Sequence, residues 1–279
     1  MSSGSKDAAL SPEFGVIGLG QMAQALVLPL LSSGQLQPGC LMAVVGSEST
    51  VQLRRQSFPA DVLVVAANSA GCDQVWTAPV QLLAIKPQQL ELVAAGVPEL
   101  QGQPLLISVL AGVSLQRLQR LFPSHRCVRA VPNTPALVGA GLTALAWGDG
   151  IEEQQRQQVF ELFAAVGEVL ELEEAKLDPF LALTSSGPAF VALVAEAMSD
   201  GAVAAGLPRT LAHRLAHRTL AGTAQLLDQH QLHPAQLKDM VSSPAGTTIA
   251  GLRELERSGL RSALIEAVLA AAERSRALA

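Results

Sequence analysis

Short β-branched apolar runs alternate with amphipathic stretches between Phe14 and Leu172, and this alternation constrains the fold more than any other feature. The candidate strands are residues 14–17, 41–45, 61–66, 80–85, 105–109, 128–131 and 143–147. Helical patterns lie between most of them, as at residues 22–32, 88–97 and 115–121. Because the strand runs lack strict polar alternation, both of their faces must be covered, which is typical of parallel strands under helices. The pattern predicts an α/β fold with an N-terminal Rossmann-like, doubly wound sheet.

The second half of the chain has a different pattern. After Leu172 the strand signal ends, and residues 178–279 read as helices separated by Gly-Pro and Gly-Leu-Pro breaks. Residues 189–205 are apolar nearly all round, with charges at Glu196 and Asp200. Such a helix has to be buried in a bundle or a subunit interface, so we expect this half to dimerise. The predicted domains are a disordered tail at 1–13, a Rossmann domain at 14–173 and an all-α dimerisation domain at 174–279.

Composition excludes several classes of function. A net charge of −5 and a pI near 5.6 argue against a nucleic-acid partner. The three cysteines have no metal-binding spacing and read as reduced thiols. No apolar run approaches the ~18 residues that span a bilayer, so we expect no membrane partner and a cytoplasmic protein. With no tyrosine in 279 residues, a mechanism that uses a tyrosine hydroxyl as the acid is excluded.

His213 and His217 are four residues apart but lack the glutamate and the third ligand of a zinc site, so no metal is expected.

The segment GLGQMA at residues 18–23 directly follows the first candidate strand and opens the first helix. This is the context that a dinucleotide-binding turn requires. Gly18 permits a tight turn, Gly20 lets the backbone approach a pyrophosphate, and Ala23 replaces the third glycine where helix packs on strand. The pyrophosphate would lie at the helix N-terminus. The alternative is a glycine-rich turn that binds no ligand.

The end of the second candidate strand bears on the choice of cofactor. NAD sites place an acidic residue there, whereas this strand ends at Val45-Gly46-Ser47, and Glu48 is already past the turn. The hydroxyls of Ser47, Ser49 and Thr50, followed by Arg54 and Arg55, are better suited to a 2′-phosphate. We therefore predict NADPH, with NADH as the alternative cofactor. These residues could instead form an ordinary solvated turn.

Further candidates follow the other strands, because ligands of such sheets bind beyond the carboxyl ends. Asn68 and the Ala111-Gly112 pair follow two strands, and Lys86 is the single charge between Thr77 and Leu90. Asn133 stands between two prolines and could bond the ribose or the carboxamide of the cofactor. Lys86 could equally be a solvated loop residue and Asn133 a simple turn former. The predicted cofactor-binding residues are Ile17, Gly18, Leu19, Gly20, Gln21, Met22, Ser47, Asn68, Ala84, Lys86, Pro87, Ala111, Gly112 and Asn133.

In the helical half, residues 242–248 combine small residues, hydroxyls and free amides before a predicted helix at 249–257. This arrangement suits an anion such as a carboxylate. An ordinary capped helix entry is the alternative.

Three segments resemble the pyrroline-5-carboxylate reductase family: RAVPNTPA at 129–136, DGAVAAGLPR at 200–209 and QLKDMVSSPAGTTI at 236–249. The resemblance covers essentially the whole chain from Phe14. It implies a Rossmann domain that binds NADPH and a helical domain that interlocks with a second subunit. It also implies a homodimer, often assembled further into a decamer of five dimers. The active site would combine the nicotinamide of one subunit with the 242–248 loop of its partner.

The reaction that the resemblance implies is reduction of (S)-1-pyrroline-5-carboxylate to L-proline, the final step of proline biosynthesis. Thr248 would bond near the ring nitrogen, and Lys86 would line the cofactor site; these two are the predicted catalytic residues. The predicted substrate-binding residues are Ser243, Gly246, Thr247 and Thr248. The chain departs from the family pattern at Ser185, Met240 and Ala245, where relatives commonly have glycine, asparagine and glycine. The alternatives are a dehydrogenase acting on a related imine or a β-hydroxy acid, and a non-catalytic oligomer that senses NADP.

Overall fold

The computed structural model describes residues 12–277. Its eight-stranded sheet has the order β3-β2-β1-β4-β5-β6-β7-β8, and all neighbouring strands are parallel except β6 and β7. The strands are β1 (Phe14–Ile17), β2 (Leu41–Val45), β3 (Leu63–Ala66), β4 (Val80–Leu83), β5 (Leu105–Ser108), β6 (Arg126–Val131), β7 (Gly141–Trp147) and β8 (Gly167–Glu171). The predicted α/β fold with a doubly wound sheet is confirmed. The strand β8 was not predicted, because Glu168 and Glu171 interrupt its apolar pattern.

Eleven α-helices are present among the described residues. They are α1 (Gln21–Ser32), α2 (Glu48–Arg55), α3 (Leu90–Ala95), α4 (Leu115–Leu121), α5 (Glu153–Ala164), α6 (Leu177–Thr184), α7 (Gly187–Ala204), α8 (Arg209–Gln229), α9 (Pro234–Met240), α10 (Thr247–Arg257) and α11 (Leu260–Arg276). The strong all-helical pattern after Leu172 is therefore confirmed.

Both faces of the sheet are covered, as the apolar strand runs predicted. Consecutive strand residues point to opposite faces. Leu82 belongs to one hydrophobic cluster and Leu83 to the other, and neither is more than 1% exposed. Cys127 lies in the second cluster, where burial raises the pKa of its thiol to about 12. All three cysteines are free.

The chain divides into two compact units. The first contains the sheet and α1–α6 together with residues from Ala272 onwards, and the second is Ser186–Ala271. The predicted boundary at residue 173 falls before α6, whereas packing assigns α6 to the first unit. The reason is that Leu177 and Ala182 of α6 are fully buried. Of the predicted tail, residues 1–11 lie outside the described residues.

The second unit buries small residues and exposes large apolar ones. Ala195 on α7 and Ala212 on α8 are buried, whereas Val191 and Leu193 are 54% and 66% exposed. Contrary to the expectation from sequence, the helical stretch Glu174–Ala204 is long and apolar enough to cross a membrane, by length and composition. Only 11% of its apolar window is buried within the chain. This stretch is not one continuous helix, because it is divided into α6 and α7.

Candidate active site

The turn between β1 and α1 has the geometry of a phosphate-binding loop. Gly18 has φ +91°, and a Cβ there would meet the carbonyl oxygen of Ala84 at 2.7 Å. Only glycine fits such a position. Gly20 is the N-cap of α1, and a Cβ added to it would meet nothing within 4 Å. The space in front of Gly20 is therefore open to a ligand.

The first turn of α1 offers donors to that space. No side chain caps the N-terminus of this helix, which begins at Gln21 and continues with Met22. Free amides at a helix start, together with the helix dipole, attract anions. Ala23, at the position of the third glycine, is fully buried against the sheet. An open turn, uncapped amides and close helix packing together fit the pyrophosphate of a dinucleotide.

The sheet topology gathers the other strand ends around this turn. Since β2 and β4 lie on either side of β1, the order of the strands reverses there, and such a switch point is where ligands of doubly wound sheets bind. Ile17 pairs with Val44 on one side and with Leu83 on the other. The sheet brings these predicted cofactor residues to one edge: Ile17, Gly18, Leu19, Gly20, Ser47, Asn68, Ala84, Lys86, Pro87, Ala111 and Gly112.

A cluster of hydroxyls begins α2. Ser47 is the N-cap, and its Oγ accepts a hydrogen bond from the amide of Thr50 at 3.3 Å. The same Oγ lies 3.0 Å from Ser49 Oγ and 2.9 Å from Thr50 Oγ1. The strand itself ends without a carboxylate, and Glu48 is the first residue of the helix. These exposed hydroxyls suit the additional phosphate of NADPH.

Asn68 and Lys86 are exposed at the same edge of the sheet. Lys86 precedes a short 3-10 turn at Pro87–Gln89, and its amide donates to Gln89 Oε1 at 3.3 Å. Within residues 12–277, its ammonium group makes no ion pair. Gly112, buried and at φ +71°, shapes the turn after β5.

Asn133 lies at the end of β6 but differs from the other candidates. It is 4% exposed, its Nδ2 donates to the carbonyl of Thr184 at 2.9 Å, and its Oδ1 accepts from the amide of Leu142 at 2.8 Å. The side chain joins the β6–β7 connection to the end of α6. Both polar groups thus serve the fold, and the predicted cofactor contact stays a prediction.

In the second unit, the predicted anion site lies at the start of α10. This helix begins at Thr247, earlier than the predicted residue 249, because Gly246 takes the extended N-cap conformation. Thr247 and Thr248 therefore belong to the first turn. No side chain caps this end, so the amides beyond Gly246 are free donors. Ser243 is exposed in the preceding turn, where the amide of Gly246 donates to its carbonyl at 3.0 Å.

Two departures from the family pattern have structural consequences. Ala245 has φ +56°, in the left-handed region that favours glycine and costs other residues about 1 kcal/mol. The loop is therefore formed at some cost in backbone strain. Ser185 has a favourable role, since its Oγ donates to the carbonyl of Pro132 at 3.0 Å.

The sequence patterns did not predict an ion-pair network around the buried Arg129. Arg129 of β6 is 4% exposed and lies 3.2 Å from Glu174 Oε1 and 3.4 Å from Asp178 Oδ1. Glu174 also accepts from the amide of Leu115 at 2.7 Å, and Ser275 Oγ donates to Asp178 at 2.7 Å. A charge inside an otherwise apolar strand was the signal that could have revealed it.

No metal site is formed by the described part of the chain. Residues 12–277 hold no group of three or more His, Cys, Asp or Glu side chains placed to bind an ion. His213 and His217 have ring centroids 6.3 Å apart.

Comparison with known proteins gives matches along nearly the whole chain. Residues 174–278 match the family described as pyrroline-5-carboxylate reductase dimerisation. Residues 13–112 match the family described as NADP oxidoreductase, coenzyme F420-dependent.

Individual relatives extend this similarity over full lengths. The chain is 44% identical to the pyrroline-5-carboxylate reductase of Synechocystis sp. over 96% of this chain and 99% of the relative. It is 34% identical to that of Escherichia coli, with the same coverage of both chains. Among solved structures, the pyrroline carboxylate reductase of Plasmodium falciparum with NADP bound has a TM-score of 0.84 at 26% identity, covering 96% of this chain and 98% of that one. The enzyme of Coxiella burnetii has a TM-score of 0.80 at 29% identity, covering 96% and 99%.

Proposed function

The chain belongs to the pyrroline-5-carboxylate reductase family, and on that premise we propose that it reduces (S)-1-pyrroline-5-carboxylate to L-proline with NADPH. One observation carries this assignment: relatives of that name match over nearly all of the chain, so the β1–α1 turn and the α10 loop both lie within the matched length. The protein is an oxidoreductase acting on a C=N bond, in the final step of proline biosynthesis.

We propose that the cofactor lies across the carboxyl edge of the sheet at the switch point beside β1. Uncapped amides of α1 would hold its pyrophosphate, and the hydroxyls of Ser47, Ser49 and Thr50 would hold its 2′-phosphate. When bound, NADPH supplies a hydride to the imine carbon, which is C2 of the pyrroline ring. Lys86, exposed at the same edge and free of ion pairs among the described residues, would face this cofactor as a cation.

We propose that the start of α10 binds the substrate carboxylate. The amides of Thr247 and Thr248 would donate to it, with Gly246 shaping the turn in front of them and with help from the Ser243 hydroxyl. The Thr248 hydroxyl would hydrogen-bond at the ring nitrogen, where the protonated imine retains its proton after reduction. Because a protonated imine is already electrophilic, the chain has to orient it more than activate it.

We also propose that the chain works as a cytoplasmic homodimer, with a decamer of five dimers as a larger assembly. The match to a dimerisation family supports association through the second unit. The exposed apolar side chains of α7, including Val191 and Leu193, provide the surface for it.

The test is an NADPH-oxidation assay with pyrroline-5-carboxylate and a panel of other cyclic imines and β-keto acids. We expect turnover with pyrroline-5-carboxylate and at most slow oxidation with the others. Binding of NADPH without turnover of pyrroline-5-carboxylate would refute the assignment, and it would favour the cofactor-sensing oligomer instead.

A further inference from the structure

Gln24 joins the dinucleotide-binding turn to the end of α2. Its Nε2 donates to the carbonyls of Leu19 at 3.3 Å and Gly20 at 3.1 Å, both in the turn. Its Oε1 accepts from Arg54 Nη1 at 3.3 Å. One half-buried side chain therefore links the pyrophosphate-binding turn with a cation on the neighbouring helix.

Arg54 lies on the face of α2 that carries the hydroxyl cluster. It follows Thr50 by four residues and Ser47 by seven, about one and two helical turns. Helical side chains lean towards the N-terminus of their helix, so Arg54 extends towards these hydroxyls. Its Nε is shielded from solvent and has no hydrogen-bond partner among the described residues. Since the hydrogen bond to Gln24 uses Nη1 and the side chain as a whole is half-buried, the terminal Nη2 group remains available as a donor for a ligand.

Arg55 is turned the other way. Its Nη2 donates to the carbonyl of Val64 on β3 at 3.4 Å. The two adjacent arginines have the same charge and nearly the same chain position, but only Arg54 contacts the element that carries the dinucleotide-binding turn. The pair therefore provides a matched comparison.

We propose that Gln24 is a positioning residue that holds Arg54 beside the 2′-phosphate and thereby makes the chain select NADPH over NADH. An arginine presents a planar fork of donors that matches a phosphate. Glu48, exposed next to Ser47, opposes an anion at this place, and the Arg54 charge offsets it. The inference rests on the proposed function, since it concerns the cofactor of that reaction.

The experiment measures binding by titration calorimetry on the full-length protein without imine substrate. The probes are adenosine 2′,5′-bisphosphate and adenosine 5′-monophosphate, which differ by the 2′-phosphate. We expect Arg54→Met to weaken bisphosphate binding about tenfold or more, because a charge-assisted hydrogen bond is lost. Monophosphate binding should change less than about twofold. Arg55→Met should leave both affinities within that range.

Gln24→Met tests the positioning role. We expect it to weaken bisphosphate binding about threefold or more in the wild-type background and to add almost nothing in the Arg54→Met background. Additive losses in the double variant would overturn the positioning role. If Gln24→Met weakens the binding of both nucleotides equally, the positioning role is also wrong, because Gln24 would then stabilise only the turn.

The remaining outcomes concern selectivity itself. If Arg55→Met weakens bisphosphate binding as much as Arg54→Met, or if the wild type does not distinguish the two nucleotides, the inference is wrong. Neither result bears on reduction of pyrroline-5-carboxylate, which the NADPH-oxidation assay decides separately.

Discussion

At the scale of single residues, the strongest prediction concerns Thr248, half-buried in the first turn of α10. Thr248→Ala removes the hydroxyl assigned to the ring nitrogen, so we expect turnover to fall about tenfold or more. NADPH affinity should change less than about twofold. Steady-state kinetics and cofactor titration measure the two effects. Thr248→Ser keeps the hydroxyl and should recover most of the activity, whereas lost cofactor binding with normal turnover at saturation would contradict the assigned role.

His125 makes the stability of the first unit depend on pH. It is 7% exposed, its Nε2 lies 3.0 Å from Gln81 Oε1, and it packs edge-on against Trp76 and Phe122. Burial lowers its pKa from 6.5 to about 4. In the unfolded chain the imidazole takes up a proton below about pH 6.5, whereas in the folded protein it does so only near pH 4. The folded state is therefore destabilised as the pH falls through this window.

Urea unfolding at pH 7 and pH 5, at constant protein concentration, checks this dependence. His125 should account for a loss of at most about 2 kcal/mol of unfolding free energy between these values. In His125→Gln, which does not titrate, that part of the loss should disappear. The variant at exposed His230, His230→Gln, serves as control and should keep the wild-type dependence. A wild-type dependence in His125→Gln would contradict the prediction.

At the scale of elements, polar contacts join both ends of α6 to β6 and to the residues that follow it. Near its start, Arg129 contacts Glu174 and Asp178, and near its end Asn133 bonds the carbonyl of Thr184. These contacts explain why packing places α6 with the sheet although its sequence resembles the helical half.

Arg129→Met tests these contacts. Removing the arginine leaves the carboxylates of Glu174 and Asp178, which are 34% and 18% exposed, without their cation, so we expect a loss of about 2 kcal/mol in the free energy of unfolding. Arg126→Met on the same strand is the control. Arg126 pairs at 2.8 Å with Glu152, which is largely exposed, and its loss should cost less than about 1 kcal/mol. Equal losses in denaturant unfolding would mean that the buried network does not hold α6.

Local pattern predicted most element positions, and its errors have local causes. The bounds of β1, β2 and α4 agree with the pattern because clear turn or capping residues flank them. The strand β8 was missed because it is half-exposed and carries glutamates. The start of α10 was placed too late because its N-cap is a glycine without a capping side chain.

At the scale of the whole molecule, the exposed apolar surface of the second unit predicts its assembly. Leu193→Glu places a charge on that surface, where the side chain is 66% exposed in the single chain. We expect a monomer by light scattering after size-exclusion chromatography, with activity lost and NADPH binding retained. Leu92→Glu, at a 78% exposed leucine of α3, should stay a dimer with normal activity. A fully active Leu193→Glu monomer would refute a site shared between subunits.

By itself, the sequence determined the order of the elements apart from β8, the glycine turn between β1 and α1, and the uncapped loop before α10 where we propose that the substrate carboxylate binds. These features depend on residues close together in the chain, so local sequence patterns predict them without knowledge of the fold. The tertiary structure decided that Arg54 rather than Arg55 contacts Gln24, that Asn133 is held by Thr184, and that Arg129 pairs with Glu174. These pairs are separated by 30, 51 and 45 residues, respectively. Only folding brings such partners together, because side-chain direction and burial are set by packing between distant elements.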